Sequence, residues 1–174
     1  MQYFIAIIPP DEYKDKIMKF QQEWITIDSE PHITVKAQGG LNSDLTWLEE
    51  VKKVCKEFSP FSVSIKHPAY FGSEVLFLGA ESEGVVELHR RLVQAVSPSA
   101  DLIQRYFEYD QFIPHLTLGQ TSWGLSQNDL SLMMSQAETL LQPYPLFEAR
   151  FIRVYKEAEP NKYEPLMDIE LGDY

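Results

Sequence analysis

Two short segments carry the residue types that acid–base chemistry at a phosphate ester needs. Pro31-His32-Ile33-Thr34-Val35 and Pro114-His115-Leu116-Thr117-Leu118 each set a histidine two positions before a threonine, and the histidines lie 83 positions apart. On an extended strand, residues i and i+2 share a face, so His32 projects with Thr34 and His115 with Thr117. Imidazole titrates at about pH 6.5, so one ring can be neutral while the other carries a proton. In-line displacement at phosphorus uses such a pair: one group takes a proton from the nucleophile, and the other gives one to the leaving oxygen on the opposite side. The threonine hydroxyls would donate to the nonbridging oxygens, where charge must be stabilised. A lone His-x-Thr reads most simply as a strand histidine without a chemical role. Two copies in register with a structural repeat change that reading.

The elements that must position these residues alternate. Tyr3 to Ile8 predicts a strand ended by Pro9-Pro10, after which Asp11 can cap a helix carrying Tyr13, Ile17 and Phe20 on one face. The first motif is the second strand, broken by Gly39-Gly40. Ser43 or Asp44 can cap a helix through Leu48, Val51 and Cys55, and Phe61 to Ile65 is a third strand. The order then repeats: a strand at Val75 to Leu78, a helix with Val85, Leu88, Leu92 and Val96 as its apolar stripe, and the second motif as a strand closed by Gly119. A helix over about 128–141 and a strand over about 147–155 complete the copy. Asp101 to Gln111 is an aromatic-rich connection, and Pro165 to Leu171 is a candidate extra strand. The expected fold is α+β and duplicated: one bilobal domain over 1–174, made of intertwined pseudo-repeats at about 1–66 and 74–156. Two mostly antiparallel sheets, related by a pseudo-two-fold axis, would flank a central cleft with helices outside.

Composition narrows the partners. The formal charge of -11 should repel long polyanions and anionic membranes, so no long nucleic acid and no membrane is expected as a partner, whereas a small phosphodiester or nucleotide, or a short RNA end, remains compatible. Cys55 is the only cysteine, which excludes an intrachain disulfide and a Cys-based zinc site and fits a reducing, cytoplasmic setting. No apolar run approaches the roughly 20 residues of a membrane span, and the opening strand is too short for a signal segment. Neither motif has an Asp or Glu directly beside its histidine, so no metal site and no cofactor is expected.

The paired motifs, together with Tyr3-Phe4-Ile5-Ala6-Ile7-Ile8-Pro9, resemble the two-histidine phosphoesterase superfamily, which includes the 2'-5' RNA ligase-like proteins. The resemblance spans essentially the whole chain and looks closest to small bacterial members, whose second motif Phe112 to Gln120 resembles. It implies a bilobal fold, no metal, and hydrolysis or transfer at a phosphodiester, often a 2',3'-cyclic phosphate. It also implies His32 as proton donor and His115 as proton acceptor. Unlike the RNA-processing members, the chain is acidic and lacks an arginine-rich stretch near either motif.

Other residues are weighed against plainer readings. Lys36, following the first motif, is either a phosphate contact or a solvated strand lysine. Tyr155 could touch substrate at the end of the last strand of the repeat. His67 and His89 read as surface residues, and Arg150 and Arg153 as the solvent side of their strand. Tyr70, Phe71, Tyr106, Phe107, Tyr109 and Phe112 could form a base-stacking wall, although aromatics more often pack a core. Cyclic-phosphodiester hydrolysis therefore stands against two rivals: RNA end processing or 2'-5' ligation, which would want a basic rim, and nucleotide binding without catalysis.

Overall fold

The computed structural model describes residues 1–172. Its strands are β1 (Tyr3–Ile7), β2 (Ile33–Lys36), β3 (Phe61–Phe71), β4 (Val75–Glu81), β5 (His115–Gln120), β6 (Leu146–Ala149), β7 (Phe151–Glu159) and β8 (Lys162–Glu170). The helices are α1 (Asp11–Gln22), α2 (Leu48–Glu57), α3 (Glu83–Val96), α4 (Ala100–Arg105) and α5 (Gln127–Leu140). The fold is α+β, as the alternating pattern predicts, and every strand pairing is antiparallel.

The two expected sheets are joined. The strand order is β6-β3-β4-β5-β2-β1-β7-β8, and the two halves meet between the motif strands β2 and β5. That junction registers a single residue pair, Ile33 with Leu116. The last strand expected for each copy crosses over: β3 pairs with β4, and β7 pairs with β1. The single strand expected over about 147–155 is two strands at different places in the sheet. The chain breaks at Arg150, so β6 pairs with β3 while β7 pairs with β1.

Burial follows strand alternation. Tyr3, Ile5 and Ile7 of β1 join the main core with Ile17 of α1, Leu88 and Leu92 of α3, and Met133 of α5. Phe4, Ala6 and Ile8 turn to the other face and pack with Tyr155 of β7. The helix starts follow local chemistry. Ser82 caps α3 through the Val85 N–H, and Ser126 forms a capping box with Asp129 on α5. α2 starts later than expected, because Asp44 accepts from the Thr46 N–H and hydroxyl in a separate turn. The aromatic connection forms α4 and one 3-10 turn at Tyr109–Gln111. Among the described residues no helix is long and apolar enough to cross a membrane.

Candidate active site

The motif strands lie side by side at the centre of the sheet. Counting outward from the Ile33–Leu116 pair, antiparallel register sets His32 across from Thr117 and Thr34 across from His115. All four are half-buried, while Ile33, Val35, Leu116 and Leu118 between them are buried in the main core. Neither threonine hydroxyl has a hydrogen-bond partner among the described residues, so both remain free to donate to a ligand.

Both imidazoles are held the same way. Nδ1 of His32 lies 2.7 Å from the Glu30 carbonyl oxygen, and Nδ1 of His115 lies 2.7 Å from the Ile113 carbonyl oxygen. A carbonyl can only accept, so each Nδ1 carries a hydrogen and each Nε2, on the far edge of the ring, is the nitrogen left open to take up a proton. Each acceptor sits two residues earlier, across the motif proline. An aromatic pair from neighbouring strands supports each ring. Phe4 stacks on Tyr155 at 4.6 Å and its centroid lies 4.8 Å from that of His32. Phe71 stacks on Phe77 at 4.1 Å, and His115 meets the two rings at 4.8 and 5.4 Å. The functional reading of the sequence missed Phe4 and Phe77, because each meets its histidine only through pairing between strands distant in sequence, β1 with β2 and β4 with β5.

The surroundings behind the rings differ. Position 30 is a glutamate and its counterpart at 113 is an isoleucine. Glu30 accepts from Arg153 at 2.6 Å, from the Tyr155 hydroxyl at 2.6 Å and from Lys14 at 3.0 Å, and Arg153 also holds Asp168 with two bonds. Burial pushes the Glu30 carboxyl up, but these hydrogen bonds and the Lys14 charge outweigh it and hold it below the ordinary range. Burial pushes the His32 pKa down, as does the His115 charge; the Glu30 carbonyl and carboxylate oppose both. Burial also lowers the pKa of His115, against the bond to the Ile113 carbonyl.

Two expected substrate contacts are corrected. Tyr155 is fully buried beneath Phe4 with its hydroxyl on Glu30, so it supports His32 from behind and has no face to offer substrate. Lys36 is neither a phosphate contact nor a solvated lysine. β2 carries one extra residue opposite the Ile5–Ala6 step of β1, a bulge that turns Lys36 toward the helices. There Nζ donates to the Ala37 carbonyl, the Gly39 carbonyl and Glu108, forming an ion pair with Lys36 0% and Glu108 1% exposed. A matching irregularity in β5 follows Thr117, where Gly119 occupies the equivalent place.

His89 and Arg153 are corrected as well. His89 is buried in α3: Nδ1 donates to the Val35 carbonyl at 2.7 Å, Nε2 accepts from the Tyr109 N–H at 3.0 Å, and the ring stacks on Phe112 at 3.8 Å. Burial pushes its pKa down to about 4, so it is a neutral clamp on the first motif. Its spacing from Val85 would have flagged it, since i and i+4 share a helix face. Gln21 of α1 plays a comparable part on the second motif, donating to the Leu118 carbonyl at 3.2 Å. Arg153 is held in the ion cluster behind His32, whereas Arg150 is exposed, as expected, beside Glu148.

Two adjoining cavities open on the motif strands and share Gln38 and Tyr106. The larger, about 750 Å³, is lined by His32, Phe4 and mostly uncharged polar side chains. The smaller, about 410 Å³, is lined by His115, Thr34, the polar Gln38, Glu108 and Gln111, and apolar or aromatic residues including Phe107 and Phe112. The expected aromatic wall is therefore divided, because the Tyr70 hydroxyl bonds the Leu130 carbonyl and Tyr109 lies against His89. Among the described residues, no lysine or arginine lines either cavity, and no group of three or more His, Cys, Asp or Glu side chains is placed to hold a metal ion.

A pair of proline-preceded histidines, His32 just before β2 and His115 opening β5, each set by register across from the other motif's threonine, defines the class of site. The sequence pattern of the 2'-5' RNA ligase superfamily matches residues 26–156, and the chain belongs to that superfamily of two-histidine phosphoesterases. It is 24% identical over 172 residues to an RNA 2',3'-cyclic phosphodiesterase of Methanocaldococcus jannaschii, a match covering 92% of this chain and 94% of the relative. Its fold is similar to that of TT0787 of Thermus thermophilus, with a TM-score of 0.69, 18% identity and full coverage of both chains. It is also similar to E. coli LigT complexed with 3'-AMP, with a TM-score of 0.61 and 17% identity over 99% of this chain and 98% of that one.

Proposed function

We propose that the chain hydrolyses a small nucleotide-type phosphodiester, with a 2',3'-cyclic phosphate as the reacting group and His32 and His115 as the acid–base pair. The observation that carries this reading is the matched pair of rings, each with Nδ1 tied to a carbonyl and Nε2 left for proton exchange, facing each other's threonine. The activity named for the M. jannaschii relative and the 3'-AMP bound by LigT support the substrate class. The intertwined halves support one duplicated domain, and the buried lone thiol of Cys55 fits a cytoplasmic setting.

In this mechanism a water attacks phosphorus in line with the ring oxygen that leaves. Neutral His115 takes the proton of the water as the new P–O bond forms. Protonated His32 gives its proton to the departing ribose oxygen as the old P–O bond breaks, and the product is a phosphate monoester. Thr34 and Thr117 donate to the nonbridging oxygens. The division of roles follows the family resemblance: the carboxylate at position 30 favours the cation on His32 and Ile113 gives His115 no such partner, while burial and the His115 charge work against the His32 cation. After turnover the proton returns from His115 to His32 through solvent.

Both free-enzyme histidines titrate below the ordinary value of about 6.5, and turnover needs one of them protonated. The expected kcat/KM profile is a bell with its maximum on the acid side of pH ~6.5, falling about tenfold per unit on its alkaline limb as the last histidine proton is lost. The two limbs belong to the coupled pair. The kcat profile should lie at higher pH, because bound phosphate favours the cation. Initial rates across pH at low and saturating cyclic nucleotide check this, and a kcat/KM maximum above neutrality would contradict it.

The rival reading, processing of RNA ends, requires phosphate contacts along the strand. The charge of -11, with no lysine or arginine lining the cavities among the described residues, argues for a small substrate. The test compares a 2',3'-cyclic mononucleotide with cyclic-phosphate-ended oligonucleotides between about 50 and 200 mM salt. The mononucleotide should be turned over at a rate that is flat or rises with salt, and the oligonucleotides should be poorer at low salt. A preference for the longer substrates that falls steeply with salt would favour the rival.

A further inference from the structure

The segment from Tyr106 to Ile113 presents an arrangement that packing alone does not explain. Phe107 is 65% exposed, and its backbone has φ +55°, the left-handed region that a bulky side chain rarely adopts. The next residue, Glu108, is fastened to Lys36 in the buried ion pair, and Tyr109, also left-handed at φ +60°, donates its N–H to His89. Gly39 completes the seat: a Cβ there would lie 3.1 Å from both the Leu102 Cβ and the Tyr106 ring, so any larger residue would make α4 and Tyr106 give by a few tenths of an ångström. Buried polar bonds to the first motif thus hold a strained backbone whose product is an aromatic ring displayed toward solvent.

The ring has a defined neighbourhood. Phe107 lines the smaller cavity together with Thr34 and His115. Among the described residues no lysine or arginine lines that cavity, so it is suited to an uncharged, flat group attached to the ester rather than to a second phosphate. In a nucleotide that group is the base, whose π-face any aromatic ring can meet. We infer that Phe107 is a specificity-determining residue that stacks on the nucleobase of the substrate, displayed for that purpose by the Lys36–Glu108 and His89–Tyr109 anchors.

This inference rests on the nucleotide reading above, and its test separates the two. Phe107→Gly removes the ring while relieving the left-handed strain, so the variant should melt at the wild-type temperature or higher. Its kcat/KM for adenosine 2',3'-cyclic phosphate should fall about tenfold. Turnover of the base-free methyl riboside 2',3'-cyclic phosphate should stay within about twofold, and Phe107→Trp should keep the preference for the base. Calorimetric binding of 3'-AMP should weaken by the same factor in Phe107→Gly. Equal losses on both cyclic phosphates, an unchanged preference for the base, or a lowered melting temperature would overturn the inference. If wild type turns over neither cyclic phosphate, the hydrolase reading fails, and 3'-AMP binding still decides: weakening in Phe107→Gly supports the stacking role, whereas unaltered or undetectable binding overturns it.

Discussion

His32→Ala and His115→Ala are each expected to lower kcat on a 2',3'-cyclic nucleotide by about 10²- to 10⁴-fold, the range for a positioned acid or base. The protein should remain folded. Each ring gives one Nδ1 bond to a carbonyl near the cleft surface, where water can replace it, and the aromatic pairs Phe4–Tyr155 and Phe71–Phe77 keep their own stacking. Because the two rings act on opposite sides of one phosphorus, the double variant should be only slightly worse than either single variant. Turnover assays paired with thermal melts check this. A single variant that keeps more than about a tenth of wild-type kcat would remove that histidine from the proton-transfer step.

Breaking the buried ion pair should have the largest effect on stability. In Lys36→Met, the Glu108 carboxylate would remain buried without its cation, a loss of about 3–5 kcal/mol. Burial already pushes the Lys36 ammonium down and the Glu108 carboxyl up, and each opposes the other's shift. The double variant Lys36→Met with Glu108→Leu should recover most of the loss, since paired apolar groups of similar volume leave no orphaned charge. Urea unfolding of the wild type, both single variants and the double variant measures this directly. Additive losses in the double variant would mean that the pair is not coupled as the structure places it. With stability restored, the double variant should still show a raised KM for nucleotides, because Phe107 and Tyr109 would have lost one of the bonds that set their position.

The two His-x-Thr segments were legible because strand alternation depends only on neighbouring residues, and the same rule brought Ile33, Val35, Leu116 and Leu118 to the core side. Alternation fails at a bulge, and nothing in Thr34-Val35-Lys36 announces one. The extra residue is seen only against β1, so Lys36 could not be placed from sequence. The division of 147–155 into β6 and β7 escaped for a similar reason, since Arg150 breaks the strand where its two parts pair at different places in the sheet. Glu30 and Ile113, two residues before their histidines, were visible in the sequence. Their unequal effect emerged only once Lys14, Arg153 and Tyr155, distant along the chain, were seen to converge on Glu30.

The most direct test of the paired-histidine account follows hydrolysis of adenosine 2',3'-cyclic phosphate in EDTA by phosphorus NMR, with wild type beside the two alanine variants. The account predicts that wild type converts the cyclic-phosphate resonance to that of a single monoester while both variants leave it unchanged over the same period. Conversion by either variant at the wild-type rate would contradict it, as would a wild-type reaction that stops when EDTA is added.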